Sequence, residues 1–161
     1  MRRLVGGLLI CALVWCVPAV ARQHNPPTHD DRLNHAIWRI PGHQPTVLPH
    51  WIAHTYSGHW GTTDWYHDRI YISQDVPDAY LYSVVAHEWS HIKQVSDYGW
   101  DVNATVQSLD EHFHASGLDG PEYAADCMAI LQGATWTDYT SCTNHHWRHM
   151  ARRLLAGHRL H

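Results

Sequence analysis

The chain has 161 residues, with 11 Lys and Arg, 15 Asp and Glu and 17 His, and its formal net charge is −4 at pH 7. This length allows one domain with room for a terminal extension. The acidic balance and the absence of a basic stripe argue against a nucleic acid as the partner. Histidine is far more frequent than in an ordinary globular chain.

The first 21 residues have the three-part layout of a secretory signal peptide. A short basic start is followed by an uncharged, mostly apolar run over residues 4–17 and by the small-x-small pattern of residues 19–21. The apolar run is shorter than the roughly 20 residues that a membrane span needs. We therefore expect cleavage after Ala21 and a secreted or extracytoplasmic mature chain without a stable membrane span. An uncleaved anchor is the alternative.

Cleavage would leave two cysteines in the mature chain, Cys127 and Cys142. Two cysteines in an exported protein most simply form one disulfide. The alternative is that both are metal thiolates, but their spacing fits no compact Cys-x-x-Cys site. The sequence therefore predicts a Cys127–Cys142 bridge.

The mature part begins with polar, proline-containing residues and continues into strand-like segments. We interpret residues 22–34 as a flexible N-terminus and residues 35–161 as a single domain. Residues 35–40 fit either a strand or a short helix. Aromatic and β-branched residues then predict a small antiparallel sheet from three strands, residues 51–56, 62–66 and 69–73.

Helical patterns dominate from residue 75 onward. One helix is predicted to start near Asp75 and to end before Gly99, a second covers residues 101–113, and a third starts at Pro121. The last helix carries one apolar stripe, formed by Trp147, Met150, Ala151, Leu154 and Leu155. Strands followed by helices predict an α+β fold.

The second half of the first of these helices contains the sequence His-Glu-Trp-Ser-His. His87 and His91 are four residues apart, so both imidazoles lie on one face of a helix and can bind one metal ion. Glu88 can reach a metal-bound water without ligating the metal. This spacing is the H-E-x-x-H pattern of zinc hydrolases.

A third protein ligand is needed for catalytic zinc, and the third helix offers Glu122. Asp126 follows it by four residues, so it lies one turn along the same face and can accept a hydrogen bond from a ligating imidazole. The alternative is that Glu122 stabilises a helix N-terminus and that Asp126 is solvated.

Together the segments HEWSHIKQ and EYAADC resemble the zinc metallopeptidases of gluzincin type, and more closely the bacterial putative neutral zinc metallopeptidase families. Their motif is similar to H-E-[YW]-G-H-x-x-Q followed by E-x-x-A-D-C. Gln94, Ala125 and Cys127 fall at matching positions, whereas Ser90 stands where glycine is usual.

This resemblance implies a zincin-like fold with a helical active-site core. It implies that His87, His91 and Glu122 bind one catalytic zinc ion, that Glu88 is the general base and that Asp126 orients His87. It further implies that residues 69–73 form the edge strand that precedes the active-site helix.

Other polar and aromatic residues could contribute to such a site. Candidate donors for an oxyanion are Tyr98, His112, His114, Tyr123, His145, His146 and His149. His145 and His149 could instead form a second metal site or an exposed helix face. Trp51, Trp60 and Trp65 could line a groove, although ordinary packing also explains them.

The leading functional hypothesis is a secreted zinc-dependent peptidase that hydrolyses a peptide or protein substrate through a zinc-activated water. Its main alternative is a non-catalytic, His-rich extracytoplasmic metal-binding protein. An enzyme acting on a non-peptide amide, or a peptidase that needs a partner, is the third interpretation.

Overall fold

A computed structural model of the protein describes residues 29–44, 46–55 and 58–161. Within these residues the chain forms α1 (His29–Trp38), β1 (Pro49–Ile52), β2 (Gly61–Asp64), β3 (Arg69–Ser73), α2 (Asp78–Asp97), α3 (Val102–Phe113), α4 (Asp119–Leu131) and α5 (His145–Leu155). The predicted α+β class is confirmed. None of the helices in these ranges is long and apolar enough to cross a membrane.

The N-terminal predictions fall largely outside this description. The predicted signal peptide and residues 22–28 lie outside the described residues, as does Tyr56, the end of the first predicted strand. Residues 29–34, which the sequence analysis assigned to a flexible segment, form the first part of α1. Buried Leu33 and Ile37 pack this helix into the core, and Arg32 forms an ion pair with Asp78 at the start of α2.

The sheet is mixed, and this corrects the expectation of an antiparallel one. Its strand order is β1-β3-β2, with β2 antiparallel and β1 parallel to β3. A short turn joins β2 to β3, whereas β1 reaches β3 only after the chain has passed through β2, which permits a parallel pair. Residues 69–73 are therefore the central strand, and β2 is the edge strand nearest to α2.

Helix α2 is the central helix of the molecule, with buried residues along its whole length. Pro77 occupies its N-cap position, and Asp75, near which the helix was predicted to start, contacts His54 at 2.7 Å. The helix ends before Gly99, whose φ of 68° terminates it as predicted. One face of α2 packs against α1 and the sheet, and another packs against α4.

A second core lies between α3, α4 and α5. Its fully buried members include Leu109, Phe113, Met128 and Leu154. The first turn of α4 approaches α3 closely at Gly120, where an added Cβ would lie 2.5 Å from the backbone nitrogen of Asp110. Helix α4 also packs against α2, which belongs to the first core, so the interface between α2 and α4 joins the two cores.

Candidate metal centre

Three side chains converge at the interface between α2 and α4. His87 Nε2 lies 2.9 Å and His91 Nε2 lies 3.2 Å from Oε2 of Glu122, and the two imidazole nitrogens are 3.1 Å apart. The histidines share one face of α2 because they are four residues apart, and Glu122 comes from the first turn of α4. This triad is the one group of three potential metal ligands among the described residues.

The outer nitrogen of each imidazole also has a partner. His87 Nδ1 lies 2.8 Å from Oδ1 of Asp126, and His91 Nδ1 lies 3.2 Å from Oε1 of Gln94. Because both partners accept hydrogen bonds, each Nδ1 carries the proton in a neutral ring. The lone pairs of both Nε2 atoms then point toward each other and toward the Glu122 carboxylate.

Three converging lone pairs repel each other unless a proton or a cation lies between them. The separations of 2.9–3.2 Å are close to the ~3.3 Å expected between ligands about 2.0–2.1 Å from a tetrahedral zinc ion. The donor set and its geometry are therefore compatible with a metal ion.

Asp126 connects the triad to the loop that follows α4. Its side chain is 1% exposed, and while Oδ1 accepts from His87, Oδ2 accepts from the backbone N–H groups of Tyr139 and Thr140 at 2.7 and 2.8 Å. A disulfide joins the next residue, Cys127, to Cys142 at the end of the same loop. Asp126 therefore makes the expected contact with His87, and two backbone hydrogen bonds and the neighbouring disulfide hold Asp126 in position.

The charge balance of the metal-free site favours a cation. Burial lowers the pKa of His87, but hydrogen bonds to Asp126 and Glu122 and the charge of Glu88 outweigh it and raise the pKa to about 10. Burial likewise raises the pKa of Glu122, yet His91 and His87 hold it well below its usual range. Three carboxylates around two imidazoles therefore stabilise positive charge at this point.

Glu88 lies beside the triad and is held by the edge strand. Its Oε2 accepts a hydrogen bond from Thr63 Oγ1 at 2.7 Å, and the same hydroxyl lies 3.0 Å from the Glu88 backbone oxygen. Gly61 leaves the space that the carboxylate occupies, since an added Cβ would lie 2.4 Å from Oε1. Strand β2 therefore holds the Glu88 side chain in place. Thr63 bonds to Oε2 and not to Oε1 of the carboxylate.

A cleft runs over the triad between β2, α2 and the loop after α4. Trp60 lines the cleft with its ring packed on Tyr80 and Trp136, and Trp65 lines it with its ring against His91. Of the three tryptophans that could line a groove, Trp60 and Trp65 line this cleft, whereas Trp51 packs against the core that contains Ile70 and Ile72 of β3.

The proposed oxyanion donors do not line this cleft. The Tyr98 hydroxyl pairs with Ser108, Tyr123 stacks on Trp147, and His145 and His149 lie on the exposed face of α5. No second metal group involving these histidines occurs in the described part of the chain.

Tyr139 lines the cleft instead, and the sequence did not identify it. Its ring stacks on His87 at 5.9 Å and on His59 at 6.0 Å, and His59 Nδ1 lies 3.1 Å from Asp138 Oδ2. Burial and the surrounding carboxylates, chiefly Glu122, raise the pKa of Tyr139. No local sequence pattern after the E-x-x-x-D segment marks residue 139 as part of the site. Only the folded structure shows that Tyr139 lies in the cleft.

Comparison of the chain with protein-family models, with curated proteins and with solved structures gives no match. The geometry of the site therefore carries the functional argument.

Proposed function

We propose that the protein is a zinc-dependent peptidase with a zincin-like site of gluzincin type. The observation that carries this proposal is the position of Glu88. Its carboxylate lies in the same cleft as His87, His91 and Glu122 and is held there by Thr63. A site that only bound metal would not need a third carboxylate, beyond Glu122 and Asp126, held in this way, whereas a hydrolase needs a base beside its metal.

The donor set supports zinc as the metal. Two imidazole nitrogens and one carboxylate oxygen form the three-ligand set of many catalytic zinc sites, which keep a fourth position for water or substrate. Calcium and magnesium prefer six or more oxygen ligands and fit this set poorly. Asp126 adds the outer hydrogen bond that orients His87 and increases its basicity.

The chemistry divides among named groups. Bound zinc would supply a Lewis acid and would lower the pKa of water. Glu88 would take a proton from that water at Oε1, because Oε2 is engaged by Thr63, and would later deliver it to the leaving amine. The raised pKa of Tyr139 keeps its phenol protonated, so it can donate a hydrogen bond within the cleft.

The edge strand supports a peptide as the substrate. Strand β2 is bonded to β3 on one side, and its residues Gly61, Thr62 and Thr63 line the cleft. An extended peptide could pair with the other edge of β2, which no strand of the described residues occupies, and place one of its carbonyl groups over the triad. A short non-peptide amide could not make this row of backbone hydrogen bonds.

We further propose that the protein acts outside the cytoplasm. The signal-like residues 1–21 motivate this proposal, and the Cys127–Cys142 disulfide supports it because such bonds persist in oxidising compartments. Sequencing the N-terminus of the exported protein would test for cleavage after Ala21.

The test of function combines metal analysis with cleavage of a broad peptide library by the purified mature chain. We expect one tightly bound zinc and hydrolysis that chelation abolishes. In Glu88→Gln the zinc should remain, while kcat falls by roughly 10²–10⁴-fold, because glutamine keeps the shape of the side chain but cannot accept the proton.

Glu111→Gln, on α3 outside the cleft, is the matched control and should cleave as the wild type does. Several weakly bound ions without hydrolysis would favour the non-catalytic metal-binding alternative. Undiminished cleavage by Glu88→Gln would refute the mechanism.

A further inference from the structure

Gln94 is a buried polar residue with a position close to the metal centre. It lies on α2, three residues after His91, and is 1% exposed. An amide buried to this degree must satisfy both its oxygen and its nitrogen within the protein, because an unpaired buried polar group destabilises the fold. The partners of Gln94 therefore determine how the amide is turned.

The backbone of α4 fixes the orientation of this amide. Nε2 of Gln94 lies 3.0 Å from the carbonyl oxygen of Pro121, and a carbonyl can only accept. The NH₂ group must face Pro121, so Oε1 must face His91 Nδ1, which lies 3.2 Å away. The ring of His91 is then required to carry its proton on Nδ1, which leaves Nε2 free for a metal.

The same amide contacts one ligand, His91, and the residue next to another, Glu122. Pro121 directly precedes Glu122, so the bond from Gln94 ties the peptide before this ligand to α2. We propose that Gln94 is a positioning residue that sets the tautomer of His91 and fixes the spacing between His91 and Glu122. This inference rests on the proposed zinc site. It assigns to Gln94 the positioning of His91, whereas Asp126 of the E-x-x-x-D segment contacts only His87 of the two histidines.

The two ligand histidines are thus held by different chemistry. Asp126 can only accept, and its other oxygen accepts from two backbone N–H groups. Gln94 has to accept from His91 and donate to a carbonyl, and among side chains of this length only an amide does both. A carboxylate at this position would place two oxygens against each other at Pro121.

The experiment measures zinc binding and the His91 ring proton in the zinc-loaded protein. The variants are Gln94→Met, which keeps the volume but removes both hydrogen bonds, and Gln94→Glu, which keeps only the acceptor for His91. Gln132→Met is the matched control, because Gln132 also bonds α2 and α4, through Ser90 and the Met128 carbonyl, but contacts no ligand.

We expect Gln94→Met to raise the zinc Kd by roughly 10–100-fold, measured by competition with a chelator. The Nδ1 proton of His91, followed by NMR, should exchange rapidly in this variant and remain protected in Gln94→Glu. Gln94→Glu should still raise the Kd, because it loses the bond to Pro121. The control should keep both the wild-type Kd and the protected proton.

A lower melting temperature of Gln94→Met with an unchanged Kd and a protected ring proton would overturn the inference, because it would show a purely structural role. If Gln94→Met does not fold, Gln94→Glu decides, and a wild-type Kd in that variant overturns it. Wild-type protein that binds zinc but cleaves nothing would refute the peptidase proposal and leave these binding measurements valid.

Discussion

At the scale of single residues, a proton and a metal ion compete for Nε2 of His87. In the metal-free chain the pKa of His87 is raised to about 10, so the ring is protonated at neutral pH and metal binding must displace that proton. Raising the pH lowers the proton concentration, so protons compete less for Nε2 and the apparent affinity for the metal ion increases. The direction of this dependence follows from the raised pKa alone.

We expect the apparent zinc affinity to increase by about tenfold per pH unit between roughly pH 6 and pH 8, if no other group titrates with binding. Calorimetry in buffers of different ionisation enthalpy should show proton release on binding. Asp126→Asn removes a carboxylate that raises this pKa, so its affinity should level off at a lower pH. A wild-type affinity that is constant over this range would contradict the prediction.

Residue spacing explains which parts of the centre were predictable. His87 and His91, and likewise Glu122 and Asp126, are separated by one helical turn, so a local pattern places each pair on one face. Thr63 is 25 residues from Glu88, and Gln94 is 27 residues from Pro121. These contacts depend on how β2, α2 and α4 pack, and no local pattern encodes them.

At the scale of elements, the edge strand β2 determines where Glu88 lies. The Gly61 position faces the carboxylate directly, and Thr63, two residues along the same strand, donates to it. Residues two apart on a strand face the same side, so this one face of β2 forms a seat for Glu88. A methyl group at position 61 would occupy the space of Oε1.

We expect Gly61→Ala to lower kcat by at least tenfold while the zinc Kd stays near that of the wild type. The reason is that an added Cβ would lie 2.4 Å from Oε1 and must displace Glu88, and the three atoms nearest to it all belong to Glu88 rather than to a metal ligand. Thr143→Ala, at an exposed position that does not line the cleft, is the control. Equal kcat values for Gly61→Ala and wild type would contradict this role for β2.

The sheet itself was only partly predictable from the sequence. Strand β3 has the predicted bounds and β2 overlaps the predicted residues 62–66, whereas β1 shares only residues 51–52 with the predicted 51–56. The short turn between β2 and β3 accounts for their antiparallel pairing. The parallel pairing of β1 with β3 joins residues that are far apart in the sequence, such as Pro49 and Ile70. Strand propensity carries no information about such long-range order.

At the scale of the whole molecule, the metal centre lies where two cores meet. One core is built on the sheet, α1 and α2, and the other on α3, α4 and α5. The triad takes two ligands from α2 and one from α4, so a bound ion would link both cores. An ion that binds only the folded state stabilises it, and the stabilisation grows with the logarithm of the affinity, so chelation should lower the melting temperature as well as remove activity.

The Cys127–Cys142 disulfide is the covalent counterpart of this link on the α4 side. Its Cα atoms are 5.1 Å apart, and it closes a loop of 15 residues in sequence separation. This loop carries Tyr139 and Thr140, whose N–H groups bond Asp126, which in turn bonds His87. Opening the bridge should therefore disturb both stability and the outer contacts of the metal centre.

We expect reduction, or the double substitution Cys127→Ser with Cys142→Ser, to lower the free energy of unfolding by about 3 kcal/mol through the greater freedom of the unfolded chain. The zinc Kd should also rise, because the loop that supplies two hydrogen bonds to Asp126 is no longer anchored next to it. Denaturant unfolding and chelator competition measure the two effects separately. Two reactive thiols in the unreduced mature protein would refute the Cys127–Cys142 bridge. An unchanged zinc Kd after reduction would show that the bridge contributes to stability alone.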